Sequence, residues 1–257
     1  MSATSWTVRR SSSLVERNAL IYRRSLTPAL SSIVEPVLYL LSIGFGVGAL
    51  VGNVNGVDVP YAAFVAPGIL ATTAMNAAFN QTSFAVFWRM KMERSYDAVV
   101  PTPVGVTDIA LGEVASAVLS GVLASIGFVV VMLVLGLVVS PGILLAIPGS
   151  LLVGYAFGAA GLAATTYFRD FSDFQLVQLV MLPMFLFATT FYPLSVYPAW
   201  VRPLIELLPL YQCIQLIREP ALGIFDWDLL VAVLYLVVFG SLALVLATRR
   251  LHRKLLP

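Results

Sequence analysis

Charge is what this sequence has least of. Asp, Glu, Lys and Arg make up 11% of its 257 residues, against roughly 25% in a soluble domain. With 60% hydrophobic residues and a mean hydropathy of +0.94, the chain cannot stay solvated as a disordered segment. Nor can it hide its apolar surface in one water-bounded core. A single cysteine, Cys213, excludes a disulfide framework and a cysteine metal cluster. The one histidine, His252, lies in a basic C-terminal stretch, which removes serine–histidine hydrolysis and histidine metal sites from the apolar body. No Gly-Lys dipeptide occurs, so there is no P-loop to cradle a nucleotide. The composition places the chain in a bilayer and denies it the common catalytic centres.

What is present is a set of long uncharged runs. Between Glu113 and Arg169 lie 55 residues without Asp, Glu, Lys or Arg. At about 20 residues per crossing that run spans twice, turning at Ser140-Pro141-Gly142. Four further candidates, 33–51, 59–78, 174–192 and 229–247, join 114–139 and 143–168. The six together hold one charged residue, Glu35. The expected fold is all-α and polytopic, with six transmembrane helices, because backbone in hydrocarbon must satisfy its own hydrogen bonds.

Orientation follows from Lys and Arg in the short loops. The N-terminal tail, the loop after the second span, the loop after the fourth and the C-terminal tail hold 13 of the 15 basic residues; the other side holds Arg202 and Arg218. Both termini are therefore expected in the cytoplasm. Residues 1–29 read as a cytoplasmic tail with an amphipathic helix over 5–28 lying on the inner leaflet, 30–248 as the six-span domain, and 249–257 as a basic cytoplasmic tail. The outer connection 193–228 contains an apolar stretch, Val196 to Leu210, cut by Pro198, Pro203 and Pro209 and too short to cross. It is expected to dip in and return as a re-entrant segment, with Arg202 and Glu206 four apart and able to pair.

Few polar groups enter the expected spans. Thr72, Asn76, Asn80 and Ser83 fall at i, i+4, i+8 and i+11, one helical stripe. Amides facing lipid are costly, so the stripe either bonds between helices or lines a translocation path. Glu35, near the inner end of the first span, either pairs with Arg23 or Arg24 or serves an inner gate. Gly44, Gly48 and Gly52, and Ser150, Gly154 and Gly158, form small-residue stripes suited to close helix packing. Asp170 and Asp173 lie three apart on an inner loop and are expected to cap it, since nothing nearby completes a cation site.

Three segments carry a family resemblance. LVERNALIYRRSLTPALSSIVEPVLYLLSIGFGVGALV resembles the opening of ABC type-2 permeases, with an acid–proline pair at Glu35-Pro36 and a glycine ladder in the first span. MKMERSYDAVVPTPVGVTDIALGEV resembles their loop between the second and third spans. FYPLSVYPAWVRPLIELLPLYQCIQLIREPALG resembles their outer re-entrant region. The similarity covers about residues 14 to 250, and within the family it is to the NodJ-type branch, associated with lipo-oligosaccharide and drug export.

The resemblance implies a dimer of permease subunits, homo or hetero, each docked on a cytoplasmic ATP-binding-cassette ATPase that carries the ATP and magnesium. This chain itself would bind no cofactor. It further implies a coupling helix at Trp88–Asp97, with Trp88, Arg89, Lys91, Glu93, Arg94 and Asp97 as its docking surface. Pro101 and Pro103 then stiffen the approach to the third span, where Asp108 suits a helix start. The expected function is a plasma-membrane exporter subunit, not itself an enzyme, moving a drug, glycolipid or lipid-linked oligosaccharide, with membrane lipid as its surroundings and no nucleic-acid partner. The alternative class is a secondary transporter run by an ion gradient, with Glu35 as its carrier.

Overall fold

The computed structural model describes residues 34–51, 59–93 and 105–255, and these are mainly helical, with no strand among them. The expected interfacial helix over 5–28 lies outside the described residues, as does Gly52. The helices are α1 (Val34–Val51), α2 (Tyr61–Lys91), α3 (Val106–Val134), α4 (Ala146–Thr165, entered through a 3₁₀ turn at Pro141–Leu145), α5 (Asp173–Phe187), α6 (Arg202–Glu206), α7 (Pro209–Ala221) and α8 (Trp227–Leu255). Five are long and apolar enough to cross a membrane: α1, α2, α3, Pro141–Thr165 and Trp227–Lys254. The sixth expected span is the shortest. α5 has 15 residues, about 22 Å at 1.5 Å per residue, and the chain then leaves the helix through Thr189, whose φ is 62°.

Two boundaries differ from the sequence expectation. α2 has 31 residues, about 46 Å, and so continues far beyond 78. Asn76, Asn80 and Gln81 lower the local hydropathy, but nothing in Asn80–Lys91 breaks a helix. At its other side α3 starts at Val106 rather than 114, taking Asp108 and Glu113 into its first turns. The residues of the expected C-terminal tail, Arg249 to Lys254, likewise continue α8.

The centre of the bundle is α2, α3 and α4, brought close by small side chains. A Cβ on Gly154 would fall 2.8 Å from the Val118 Cα, and one on Gly158 2.7 Å from the Ala117 Cβ, so the α4 stripe packs on α3. Gly161 continues the line against α2, where a Cβ would meet the Phe79 carbonyl at 2.8 Å. Thr165 Oγ1 lies 2.9 Å from the Thr82 carbonyl of the same helix. In α1, Gly44 and Gly48 sit against Ala62 and Tyr61 at the start of α2. α8 closes on α4 through Gly240, which lies under the Tyr155 ring, and through a Tyr155–Ser241 hydroxyl contact of 3.0 Å. Helices that approach this closely gain dispersion over their whole backbones, the main attraction available in lipid.

Candidate functional site

Two chain reversals and a helix end meet at one end of the bundle, called here the basic end: α2 into α3, α4 into α5, and the last turns of α8. Trp88, Arg89 and Lys91 form the last turn of α2 rather than a loop. Arg94 and Asp97 lie outside the described residues, and Glu93 is exposed just beyond the helix. Arg89 turns inward and is buried. Its Nε donates to the Ala85 carbonyl at 3.0 Å, and its Nη1 donates to Glu113 Oε1 at 2.8 Å. Glu113 is itself fully buried, two turns into α3. Asp108 Oδ2 accepts from the Gly105 N–H at 3.0 Å and fixes where α3 begins. The two flanks of the connecting segment are thus joined by a buried ion pair, which couples the helices mechanically.

A cluster of six aromatic rings fastens the α4–α5 turn to the same place. Phe84, Phe87 and Trp88 of α2 meet Phe168, Phe171 and Phe174, with centroid separations from 4.8 to 6.4 Å. Sequence reasoning missed this cluster, although three phenylalanines at three-residue spacing in Phe168–Phe174 were its signal. Asp173 Oδ2 accepts from the Arg169 N–H at 2.6 Å and the Asp170 N–H at 3.3 Å, so it caps the turn. No group of acidic, histidine or cysteine side chains among the described residues could hold a metal ion.

The expected polar stripe on α2 divides. Thr72 is buried and donates to the Gly68 carbonyl at 3.0 Å, and Ser83 is buried as well. Asn76 and Asn80 are exposed, and they continue into exposed Phe84 and Trp88. Between Tyr61 and Met90 these four are the exposed residues of a helix that is otherwise covered. They stand at four-residue spacing, two amides followed by two aromatic rings. Glu35 is exposed on the first turn of α1, and its expected partners, Arg23 and Arg24, lie outside the described residues.

At the opposite end the chain leaves α5 and returns to α8 without crossing. The expected Arg202–Glu206 pair does not form. α6 has only five residues, and Arg202 reaches back to satisfy carbonyls of the turn before it, Tyr197 at 2.9 Å and Ser195 at 3.0 Å. The Glu206 side chain is exposed, while its carbonyl accepts from Gln212 Nε2 at 2.7 Å. The cation that matters here is Arg218 of α7. It is buried, donates to the carbonyls of Thr189 and Thr190 at 2.8 and 2.9 Å, and lies 4.1 Å over the Phe64 ring. It thereby caps the C-terminal end of α5 and holds Thr189 in a left-handed conformation that a β-branched residue rarely adopts. Gly68 leaves room for the guanidinium, because a Cβ there would lie 2.5 Å from Nη2. Next to it, burial raises the Glu219 carboxyl of this non-crossing helix, and Asp228 and Asp226 add to the effect. Gln215 Nε2 donates to its Oε1 at 3.0 Å.

Comparison with known proteins agrees with this arrangement. Residues 11–222 match the model of the ABC-2 type transporter family. The chain is 35% identical over 243 residues to nodulation protein J of Rhizobium leguminosarum bv. viciae, covering 92% of this chain and 93% of that protein. It is 33% identical over 242 residues to nodulation protein J of Sinorhizobium fredii, covering 93% and 92%. It is 32% identical over 243 residues to the corresponding protein of Rhizobium meliloti, covering 94% and 92%. With its helical bundle, its returning segment and a match over most of its length, the chain is a multi-pass membrane protein and belongs to the ABC-2 type transporter family.

Proposed function

We propose that this chain is the permease subunit of an ATP-binding-cassette exporter and moves an amphipathic substrate (a drug, a glycolipid or a lipid-linked oligosaccharide) across the plasma membrane. A separate cytoplasmic ATPase carries ATP and magnesium, and a second permease subunit completes the path. The basic end faces the cytoplasm with both termini, a reading supported by the 13-to-2 distribution of basic residues. The stretch from Trp88 through Glu93, Arg94 and Asp97 takes the stroke of the ATPase, and the Arg89–Glu113 pair passes it to α2 and α3 together. Glu35 stands at the inner entrance.

The observation that carries this reading is the single exposed stripe of α2. Amides at Asn76 and Asn80 are too costly to leave against hydrocarbon, so a partner subunit or a wet path covers them. The same stripe ends in Phe84 and Trp88 at the coupling end, which gives one continuous surface with polar and apolar parts. The test uses Asn76→Cys in the full chain, where the native Cys213 is buried. A membrane-impermeant maleimide is expected to label Asn76→Cys, transported substrate to slow the labelling, and Asn76→Leu to narrow the substrate range with normal expression. Labelling only by a lipid-soluble reagent, with transport by Asn76→Leu intact, would overturn the path assignment. Mild-detergent purification that yields no ATPase after crosslinking would overturn the exporter reading as a whole.

A further inference from the structure

Four cations from three elements converge at the basic end: Lys91 in the last turn of α2, Arg169 in the α4–α5 turn, and Arg250 and Lys254 in the last turns of α8. Ring contacts bring them together. The aromatic cluster fastens the α4–α5 turn to the end of α2, and the Arg250 guanidinium lies 3.6 Å over the ring of Tyr167 in that same turn. Lys91, Arg169 and Arg250 all lie near enough to repel the Lys254 ammonium. None of the four forms an ion pair with a carboxylate among the described residues. The nearby Asp173 carboxylate accepts from backbone N–H groups and also lies near enough to Arg169 to feel its charge. Among the described residues these four cations have a carboxylate close by, Asp173 beside Arg169, and the excess of positive charge forms a site for an anion.

The surroundings of the patch favour a phospholipid as the source of that anion. Leu242, Leu246 and Arg250 follow one another at four-residue spacing on α8, both leucines are exposed, and Leu176 and Leu179 are exposed on α5 below the same turn. A headgroup at the cations therefore finds apolar surface running from it toward the middle of the bundle. Tyr167 and Trp88 are exposed at the level of the patch, as aromatic residues at a headgroup boundary are.

We propose that Lys91, Arg169, Arg250 and Lys254 form a binding site for the phosphate headgroup of an anionic phospholipid in the cytoplasmic leaflet, with its acyl chains lying along α8 and α5. The leaflet rests on the orientation proposed above, while the binding itself does not. Because Lys91 ends α2 and Arg169 sits in the aromatic-fastened turn, an occupied site braces the three elements that receive the ATPase stroke.

The test measures lipid retained by the full-length chain, using native mass spectrometry from micelles doped equally with phosphatidylglycerol and phosphatidylcholine. Each basic residue near an anionic headgroup contributes about a fivefold preference. The wild type is expected to favour phosphatidylglycerol at least about tenfold, and the combined variant Lys91→Gln, Arg169→Gln, Arg250→Gln, Lys254→Gln to fall to within about twofold of parity. Lys91→Arg with Lys254→Arg, which keeps the charge, should keep the preference and so controls for folding. Equal retention of the two lipids by wild type, or a preference unchanged in the combined variant, would overturn the proposal. So would a combined variant that keeps its lipid preference but releases the ATPase subunit, since the patch would then be a protein dock. Loss of lipid preference with the ATPase still bound supports the site whatever the transported substrate proves to be.

Discussion

The two ends of this bundle each bury an arginine, and they compensate its charge by different means. At the basic end Arg89 meets a buried carboxylate, Glu113, on the neighbouring helix. At the opposite end Arg218 has backbone carbonyls and an aromatic face, and no ion pair among the described residues. A buried ion pair is sensitive to losing either member, because the survivor is then an uncompensated charge. An arginine on carbonyls can be replaced at lower cost, because what remains is neutral. The first arrangement joins two long helices across a connecting segment. The second pins a short helix to a turn. The end that takes a mechanical load in the proposed cycle carries the stronger and more brittle connection.

The comparison breaks first at Glu113. Glu113→Ala removes the carboxylate that meets the buried Arg89 guanidinium and is expected to cost about 3–5 kcal/mol. The cost should be read as thermal unfolding in detergent, and Arg89→Met with Glu113→Leu should restore much of it. A double variant no more stable than the single would remove the premise that the ion pair is the source of the cost. Arg218→Met is expected to cost less, about 1–3 kcal/mol for carbonyls left without a donor. Its effect should be local: faster hydrogen exchange and proteolysis at 188–192, with α2 and α3 unchanged. The smallest effects sharpen the contrast. Phe171→Leu at the basic end should cost about 0.5–1.5 kcal/mol through lost ring contacts. Tyr235→Phe at the other end, which removes a 2.6 Å hydrogen bond to the Leu207 carbonyl, should cost about 1 kcal/mol. Measured side by side, the first is expected to reduce ATP-coupled transport and the second to leave it intact.

The apolar segments were legible because the requirement that backbone satisfy itself in lipid acts on consecutive residues. The α4 stripe of Ser150, Gly154 and Gly158 was legible for the same reason, since close packing demands small residues at helical spacing. The length of α2 was not. Hydropathy records where a helix stops facing apolar surroundings, and α2 keeps its helix past Asn76 and Asn80 because α3 and α4 cover most of it. Nor was the role of Arg218 legible. It sat in a segment that reads as an outer connection, and its partners Thr189 and Thr190 lie 29 and 28 residues earlier. Arg202 and Glu206 had the spacing of a helical pair, yet a five-residue helix left unsatisfied carbonyls nearby that held the guanidinium instead. Contacts made through the fold, rather than along the chain, decided both arginines.

The brevity of α5 has a consequence for the lipid around it. At about 22 Å it falls roughly 8 Å short of a 30 Å hydrocarbon layer. Hydrophobic mismatch of this kind is met in part by local thinning of the bilayer. In the proposed transport, a polar headgroup crossing beside α5 would meet a narrower dielectric barrier than elsewhere in the same membrane. The host bilayer becomes part of the machine, and transport in vesicles of longer-chain lipids should slow even where binding and ATP hydrolysis do not.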